Sequence, residues 1–374
     1  MATLLDALET PAPLVDLERL ARNLDRMAAF AAINGLALRP HIKTHKSTRI
    51  AAEQLDRGAV GLTCATPFEA EVMSEVCADI LLAHPPVGQR AHRIAALPPQ
   101  VRVTVALDSM RAIEDIGAAA KEHDRRVQVL IEMDMGMHRV GVQTADEAIE
   151  LARMVRRHAP LDYAGIMFYP GHIRAHVDAQ DAAMAQLAGR LGVLIEALDR
   201  AGVRPRVVSG GSTPTAWRAQ EIEGLNEIRP GTYVYNDRTT AGIGACEWED
   251  CALTVLATVV STAVPGQAVV DAGSKALGRE PMRGGADDGF GILLEYPEVT
   301  VTGMSEEHGI LDLSRSDWKP AVGERVRIIP NHVCIVVHLN DLVYGVRGDV
   351  VETSWSVAAR GRGLRQATAW AETR

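Results

Sequence analysis

Eight short runs of β-type residues alternate with helical stretches, and this alternation constrains the fold more than any other feature of the chain. The runs begin at Leu36, Val60, Asp79, Val101, Arg126, Tyr163, Arg206 and Ile228. Apolar strands separated by helices are typical of a parallel sheet that is covered on both faces. Eight such units predict an α/β fold with a closed (β/α)8 barrel of the TIM type. A doubly wound open sheet is the alternative, but its dinucleotide-binding version needs a GxGxxG motif that does not follow the first strand.

The pattern changes near residues 240–252, after which strand-like runs follow one another with almost no helical periodicity. A chain of 374 residues is long enough for two cores, since single cores stop growing near ~250–300 residues. We therefore predict a barrel over residues 15–245 and a β-rich second domain over residues 246–374. Residues 1–14 are expected to pack with the second domain.

Composition narrows the choice of partners. The formal net charge of −9 is unfavourable for binding nucleic acid or an anionic membrane, because either would need a basic face. No apolar run reaches the ~18–20 residues of a membrane helix. The five cysteines are odd in number and widely spaced, and no basic segment followed by an apolar one opens the chain. We therefore expect a cytoplasmic protein without disulfides that acts on a small molecule.

The first strand-like run ends in "LRPHIKTHKS", residues 38–47. Active sites of such barrels lie at the carboxyl ends of the strands, so Lys43 is predicted to reach the mouth as an amine nucleophile. The strand is predicted to end at His41 to Lys43, and these two side chains share a face because side chains alternate along a strand. His45 and Lys46 are interpreted as supporting groups or as solvated side chains. The alternative for Lys43 is an ordinary solvated lysine.

The seventh run ends in "SGGSTPT", residues 209–215. Gly210 and Gly211 allow close approach of a ligand to the backbone, and Ser212 and Thr213 can cap a following helix. Phosphate sites in this fold lie at the ends of strands seven and eight. A lysine and an anion cradle at one mouth favour pyridoxal phosphate, which needs an amine and N–H donors. A tight turn with a helix cap is the alternative.

The blocks "RPHIKTHK", "EMDMGMHRVGV", "FYPGH", "SGGSTP", "RPGTYVYND", "DAGSK", "EEHG" and "PNHVC" occur in this order over nearly the whole chain. Their succession resembles the metal-activated D-threonine aldolase and D-serine dehydratase family, whose members are fold-type III pyridoxal phosphate enzymes of the alanine-racemase-like fold. The resemblance implies a homodimer, a Schiff-base lysine at Lys43 and a divalent metal in the second domain. It further implies cofactor contacts from Arg139, Tyr169, Ser209, Gly210, Gly211, Ser212, Thr213, Tyr235 and Asn236.

The segment "PNHVC" is the predicted metal site. His332 and Cys334 are two apart in a β-type run, so both side chains would leave one face. An imidazole and a thiolate favour zinc, whereas the aldolase branch of the family often has a carboxylate and tolerates manganese. We therefore expect zinc or manganese, with magnesium as a further alternative. A buried cysteine beside a structural histidine is the competing interpretation, and His338 lies too far along to bind the same ion.

Proton transfer at the substrate needs a base near neutrality, and His172 is the histidine we assign to it. His308 is a second candidate, with Glu306 and Glu307 as groups that support the metal. The resemblance implies cleavage of D-β-hydroxy-α-amino acids, such as D-threonine to glycine and acetaldehyde. The alternatives are dehydration of D-serine or D-3-hydroxyaspartate, an amino-acid racemase, and a non-catalytic carrier of pyridoxal phosphate.

Overall fold

The computed structural model describes residues 3–282, 289–361 and 363 of the chain. Within them, the strands form two sheets, one of eight strands and one of ten. The chain starts with β1 (Thr3–Leu4), β2 (Ala12–Asp16) and α1 (Leu17–Ile33). Asp16 caps α1, since its carboxylate accepts hydrogen bonds from the backbone N–H of Glu18 and Arg19, both at 2.9 Å. The apolar side chains of α1 that are buried are Leu20, Leu24, Met27 and Ala31.

The eight-stranded sheet alternates strands with helices. Its elements are β3 (Ala37–Leu38), α2 (Thr48–Asp56), β4 (Leu62–Cys64), α3 (Pro67–Met73), β5 (Asp79–Leu82), α4 (Gln89–Ala95), β6 (Arg102–Leu107), α5 (Met110–Glu122), β7 (Val127–Met133), α6 (Ala145–Arg157), β8 (Leu161–Phe168), α7 (Asp181–Arg200), β9 (Val207–Gly210), β10 (Glu227–Ile228) and α8 (Arg238–Gly242). All its pairings are parallel, in the order β3-β10-β9-β8-β7-β6-β5-β4. A parallel bridge between His41 and Thr63 joins the two ends. The predicted barrel is confirmed, and each of the eight runs overlaps one strand.

The ten-stranded sheet follows. Its later elements are β11 (Leu253–Ser261), β12 (Gln267–Val270), α9 (Ser274–Leu277), β13 (Gly291–Leu293), β14 (Thr300–Met304), β15 (Gly309–Asp312), β16 (Arg325–Pro330), α10 (Val333–Leu339), β17 (Leu342–Arg347) and β18 (Val350–Ser356). β11 pairs with both β12 and β16, so the strands from β11 to β16 close on themselves. The predicted β-rich second unit is confirmed. The exact limits at residues 14/15 and 245/246 stay predictions, although β1 and β2 both pair within this sheet.

One continuous apolar core joins the two sheets. The same cluster of buried side chains includes Ile131 of β7 and Val255 of β11. No helix of the described residues is both long and apolar enough to cross a bilayer. The second sheet is therefore packed onto the barrel and can contribute side chains to its mouth.

The segment "NHVCIVVHL" differs from the sequence prediction. Its β-branched residues indicate a strand, but residues 333–339 form α10 and His332 is its N-cap. The backbone N–H of Val333 donates a hydrogen bond to the carboxylate of Asp237 at 3.2 Å. A side chain from the barrel therefore satisfies one of the free N–H groups with which a helix begins, and the helix forms despite its composition.

Candidate active site

Two adjacent cavities lie at the mouth of the barrel, where the carboxyl ends of its strands meet. The first cavity has a volume of about 350 Å³ and the second about 100 Å³. Their shared wall consists of Lys43, Tyr169, Ser212, Pro214 and Thr232. Active sites of (β/α)8 barrels are built at this end from the loops that follow the strands.

Lys43 faces both cavities, but it does not stand at the end of a strand. β3 ends at Leu38, and residues 42–45 form a turn. Alternation along a strand therefore does not explain the shared face of His41 and Lys43, although both line the first cavity. The Lys43 ammonium lies 5.6 Å from the centre of the Tyr169 ring. The amine is thus held between the two cavities.

His45 and Lys46, which lie close to Lys43 in the sequence, stabilise the fold. The Nε2 atom of His45 lies 3.2 Å from Oε1 of Gln54, and burial lowers the pKa of His45 to about 3, so this ring is neutral. Lys46 forms a buried ion pair with Glu69. These contacts fix the turn and leave Lys43 as the lysine that reaches the cavities.

Tyr169 separates Lys43 from Arg139. The Arg139 guanidinium carbon lies 5.0 Å from the centre of the Tyr169 ring, and both side chains line the first cavity. Gly171 leaves room for this ring, because a Cβ atom at position 171 would lie 2.1 Å from Cε1 of Tyr169. Arg139 and Tyr169, which the resemblance implies as cofactor contacts, therefore line the same cavity.

Glu132 and Arg229 also line the first cavity, and the sequence reasoning did not assign them a role. Burial raises the pKa of Glu132 to about 7, and its Oε2 atom has no hydrogen-bond partner among the described residues. Burial lowers the pKa of Arg229 to about 10, and the guanidinium donates to the carbonyl of Phe168 at 2.8 Å. The sequence did contain a signal for both residues, because each is a charged residue beside apolar ones: Glu132 in "VLIEM" and Arg229 in "EIRP".

The predicted anion cradle is partly assembled. Gly211, Ser212 and Thr213 line the first cavity. Gly211 has a φ of +88°, a backbone conformation that favours glycine. Ser212 precedes a 3-10 helix over Thr213–Glu221, and its Oγ lies 3.0 Å from Oγ1 of Thr215. Backbone N–H groups at such a turn are suited to an anion.

Four other residues that the resemblance implies as cofactor contacts do not line either cavity. Packing that the sequence does not show keeps them away from the two cavities. Ser209 donates to the Oε1 atom of Glu227 at 2.5 Å, and Gly210 packs on the Phe168 ring. Tyr235 is fully buried. Asn236 donates to the carbonyl of Asp250 at 3.3 Å.

His332 and Cys334 meet in the second cavity, although they lie at the start of a helix rather than on a strand. The Cys334 sulfur lies 3.2 Å from Oγ1 of Thr44, the residue that follows Lys43. The Nδ1 atom of His332 lies 3.0 Å from Oδ2 of Asp237. The second sheet therefore brings an imidazole and a thiol next to the lysine turn of the barrel.

The electrostatics of this pair favour a thiolate. The pKa of His332 is raised to about 11, first by the negative charge of Cys334. Burial raises the pKa of Cys334, but His332, Lys43 and Thr44 outweigh it and the pKa falls to about 7. Asp237 holds one ring nitrogen of His332, as the outer carboxylate does at many metal sites. Sequence reasoning missed Asp237, although it closes the "YND" block.

The predicted base His172 is not among the described residues that line either cavity. Its ring is exposed and packs on Gly136, where a Cβ atom would lie 2.8 Å from Cε1. His308, Glu306 and Glu307 are likewise absent from both walls. Histidines in the walls are His41, His84 and His332.

Comparison with known proteins identifies the family to which this chain belongs. The model of the family described as "Alanine racemase, N-terminal domain" matches residues 15–239, and the model of a serine dehydratase domain matches residues 252–346. The D-threo-3-hydroxyaspartate dehydratase of Delftia sp. (strain HT23) is 37% identical over 87% of this chain and 91% of its own.

Solved structures extend the likeness to three dimensions. A D-threonine aldolase from Filomicrobium marinum superposes with a TM-score of 0.89 at 32% identity, covering 97% of this chain and 99% of the other. A variant of a D-threo-3-hydroxyaspartate dehydratase, described as the metal-free form, superposes with a TM-score of 0.84 at 33% identity over 97% of this chain and 100% of the other.

Proposed function

We propose that this chain, which belongs to the alanine racemase N-terminal domain family and carries a serine dehydratase domain after it, is a lyase for D-β-hydroxy-α-amino acids. Pyridoxal phosphate would occupy the first cavity and a divalent metal the second. The observation that carries the proposal is the position of Lys43 on the shared wall, with His332 and Cys334 also lining the second cavity.

The first cavity fits the cofactor. Lys43 supplies the amine. The turn that lines this cavity offers the backbone N–H groups of Gly211 and Thr213 to a phosphate, whereas the N–H of Ser212 donates to Oγ1 of Thr215. The unpartnered Oε2 of Glu132 is a buried polar atom that a ligand in this cavity would satisfy. Arg139 and Tyr169 line the same cavity and would orient the ring of the cofactor.

The second cavity fits a metal. One imidazole and one thiolate are nitrogen and sulfur donors, and an open site completed by water and substrate is typical of catalytic zinc. Their softness favours zinc, with manganese or magnesium as alternatives. Asp237 would orient the ring of His332 through Nδ1 and leave Nε2 for the ion.

Bound pyridoxal phosphate would supply an electron sink for a bond at the substrate α-carbon, and a bound divalent ion would lower the pKa of the β-hydroxyl. Lys43 holds the first of these groups and accepts or returns a proton at the α-carbon, because it lies on the wall common to both cavities. Thr44 steadies the sulfur of Cys334, and Tyr169 limits the movement of the Lys43 side chain.

Cleavage of the bond between the α- and β-carbons is the first candidate reaction, and it yields glycine and an aldehyde. The aldolase of Filomicrobium marinum, which aligns with almost the whole chain, supports it. Loss of the hydroxyl, which yields a keto acid and ammonia, is the second candidate. The relative from Delftia, a D-threo-3-hydroxyaspartate dehydratase, supports that outcome.

Product analysis separates these reactions. The holoenzyme is incubated with D-threonine, D-serine and 3-hydroxy-D-aspartate, and glycine with aldehyde is assayed separately from keto acid with ammonia. We expect one of the two product pairs from at least one substrate. Interconversion of D- and L-alanine without either pair would replace the proposal with a racemase, and bound cofactor without turnover would indicate a carrier.

A further inference from the structure

We infer that Arg174 forms a carboxylate-binding site in the second cavity, so that the enzyme prefers a substrate with an acidic group on its β-carbon, of the 3-hydroxy-D-aspartate class. This inference rests on the proposed lyase function and narrows its substrate. A substrate with a methyl group in the same position, such as D-threonine, would leave the site without a partner.

Arg174 belongs to the loop that follows β8 and lines the second cavity together with His332 and Cys334. Its Nε donates to the carbonyl of Gly171 at 2.5 Å, which fixes the side chain to its own loop. Its Nη2 lies 4.0 Å from the sulfur of Met137. Within residues 3–282 and 289–361, no carboxylate forms an ion pair with it, so the terminal N–H groups are available to a ligand.

The other charged side chains that line the second cavity already have partners or proposed roles. Asp237 accepts from Val333 with Oδ2, which also lies beside His332, and from Thr240 with Oδ1. Lys43 holds the cofactor under the proposed function, and the imidazole and thiolate hold the metal. Arg174 is thus the remaining cation in the described wall of this cavity.

The shape of the substrate decides which carboxylate Arg174 meets. In 3-hydroxyaspartate, the hydroxyl and the side-chain carboxylate share the β-carbon, and the metal pair would place that hydroxyl in the second cavity. Arg174 lines the second cavity and not the first. A guanidinium binds a carboxylate through two parallel hydrogen bonds, an arrangement that a methyl group cannot provide.

The test compares two substrates in one variant. In Arg174→Gln, kcat/KM for 3-hydroxy-D-aspartate is expected to fall by about 30- to 100-fold, mainly through KM, because a charge-assisted pair is lost. For D-threonine, kcat/KM should change by less than about threefold. Arg174→Lys keeps the charge without the planar fork and should fall between the two. An unchanged visible absorbance of the cofactor shows that each variant is folded and loaded.

Arg90→Gln is the matched control, because Arg90 is an exposed cation beside His84 at the mouth of the first cavity. It tests whether any positive charge at the mouth attracts acidic substrates. Equal losses for both substrates in Arg174→Gln, no loss for either, or the same selective loss in Arg90→Gln would overturn the carboxylate site alone. A wild-type holoenzyme that turns over none of D-threonine, D-serine and 3-hydroxy-D-aspartate would overturn the proposed function together with the inference.

Discussion

Among single residues, Lys43 carries the proposed chemistry. Lys43→Ala should lower turnover at least about a thousandfold, because the amine that attaches the cofactor and moves the proton is lost. Circular dichroism should be unchanged, since the side chain faces cavities rather than the core. Borohydride reduction of the loaded protein, followed by peptide mapping, should fix the cofactor to Lys43. Label on Lys46 or Lys275, whose ammonium groups are paired with carboxylates, would contradict the assignment.

Glu132 gives a test that needs no activity assay. Its ordinary pKa of 4.5 is raised to about 7 by burial. A carboxyl group with a raised pKa in the folded chain contributes stability below its unfolded value, and this contribution is lost as the pH rises to about 7. Glu132→Gln should therefore exceed the wild type in free energy of unfolding by roughly 1–3 kcal/mol at about pH 8, and the difference should vanish near pH 4.

Denaturant unfolding of the cofactor-free protein at the two pH values measures this difference. The comparison of two pH values is its own control, because the wild type and Glu132→Gln share every other titrating group. A difference that does not depend on pH would show that the pKa of Glu132 is the same in the folded and the unfolded chain.

His172 is the site prediction that the geometry supports least. Its exposed ring lies outside both cavity walls, so His172→Gln should retain kcat within about threefold for D-threonine and for 3-hydroxy-D-aspartate. Steady-state kinetics measures this, and Lys43→Ala shows the effect expected for a group that does take part in proton transfer. A loss of a hundredfold or more would restore His172 as a base that reaches the substrate when the loop moves.

Among the elements, the start of α10 matters most for the site. Its N-cap and first turn present His332 and Cys334 to the second cavity. Dialysis against a chelator is expected to abolish lyase activity, to leave the visible absorbance of the cofactor in place, and to be reversed by zinc or manganese. His332→Ala should reproduce the chelated state, because one remaining protein ligand binds an ion weakly.

The control for this experiment lies on the outer helices. His92, Glu122 and His123 form a group of possible metal ligands on α4 and at the end of α5, within the described part of the chain. His92→Ala should therefore leave the chelation result and the activity unchanged. Full activity in the wild type after its metal content has been brought to zero would remove the metal from the proposal.

Changing the sulfur ligand tests metal identity at the same helix start. Cys334→Asp keeps a negative ligand but exchanges a soft donor for a hard one, so the metal that restores most activity should shift from zinc towards manganese. The ratio of activities after reconstitution with each ion measures the shift. An unchanged ratio would mean that Cys334 does not touch the ion.

For the whole molecule, the site depends on both sheets. Lys43 comes from the barrel and Cys334 from the segment that follows β16, yet Thr44 and Cys334 are in contact at 3.2 Å. We further propose a homodimer, as the resemblance to the aldolase and dehydratase family implies. Sedimentation equilibrium should give twice the chain mass of 40.3 kDa, independent of cofactor loading. A mass of one chain at micromolar concentration would refute it.

The sequence patterns of short segments determined much of this architecture. The alternation of apolar strands with helices is a property of short segments, so all eight barrel strands could be placed from sequence. The motif around Lys43 and the turn at Gly211 could be placed as well, because they follow strands whose ends must meet at one edge of a barrel. The family blocks added Arg139 and Tyr169, which line the same cavity.

Only the tertiary structure decided the rest. The run "HVCIVVHL" has the composition of a strand, but Asp237, from 96 positions earlier, accepts the N–H of Val333 and allows a helix. Tyr235 and Asp237 are neighbours in one motif, yet one side chain is buried in the core and the other lines the second cavity. That no carboxylate of the described residues pairs with Arg174 was equally invisible, because it depends on every chain segment around this side chain. Such contacts join distant segments, and the periodicity of a short run carries no information about them.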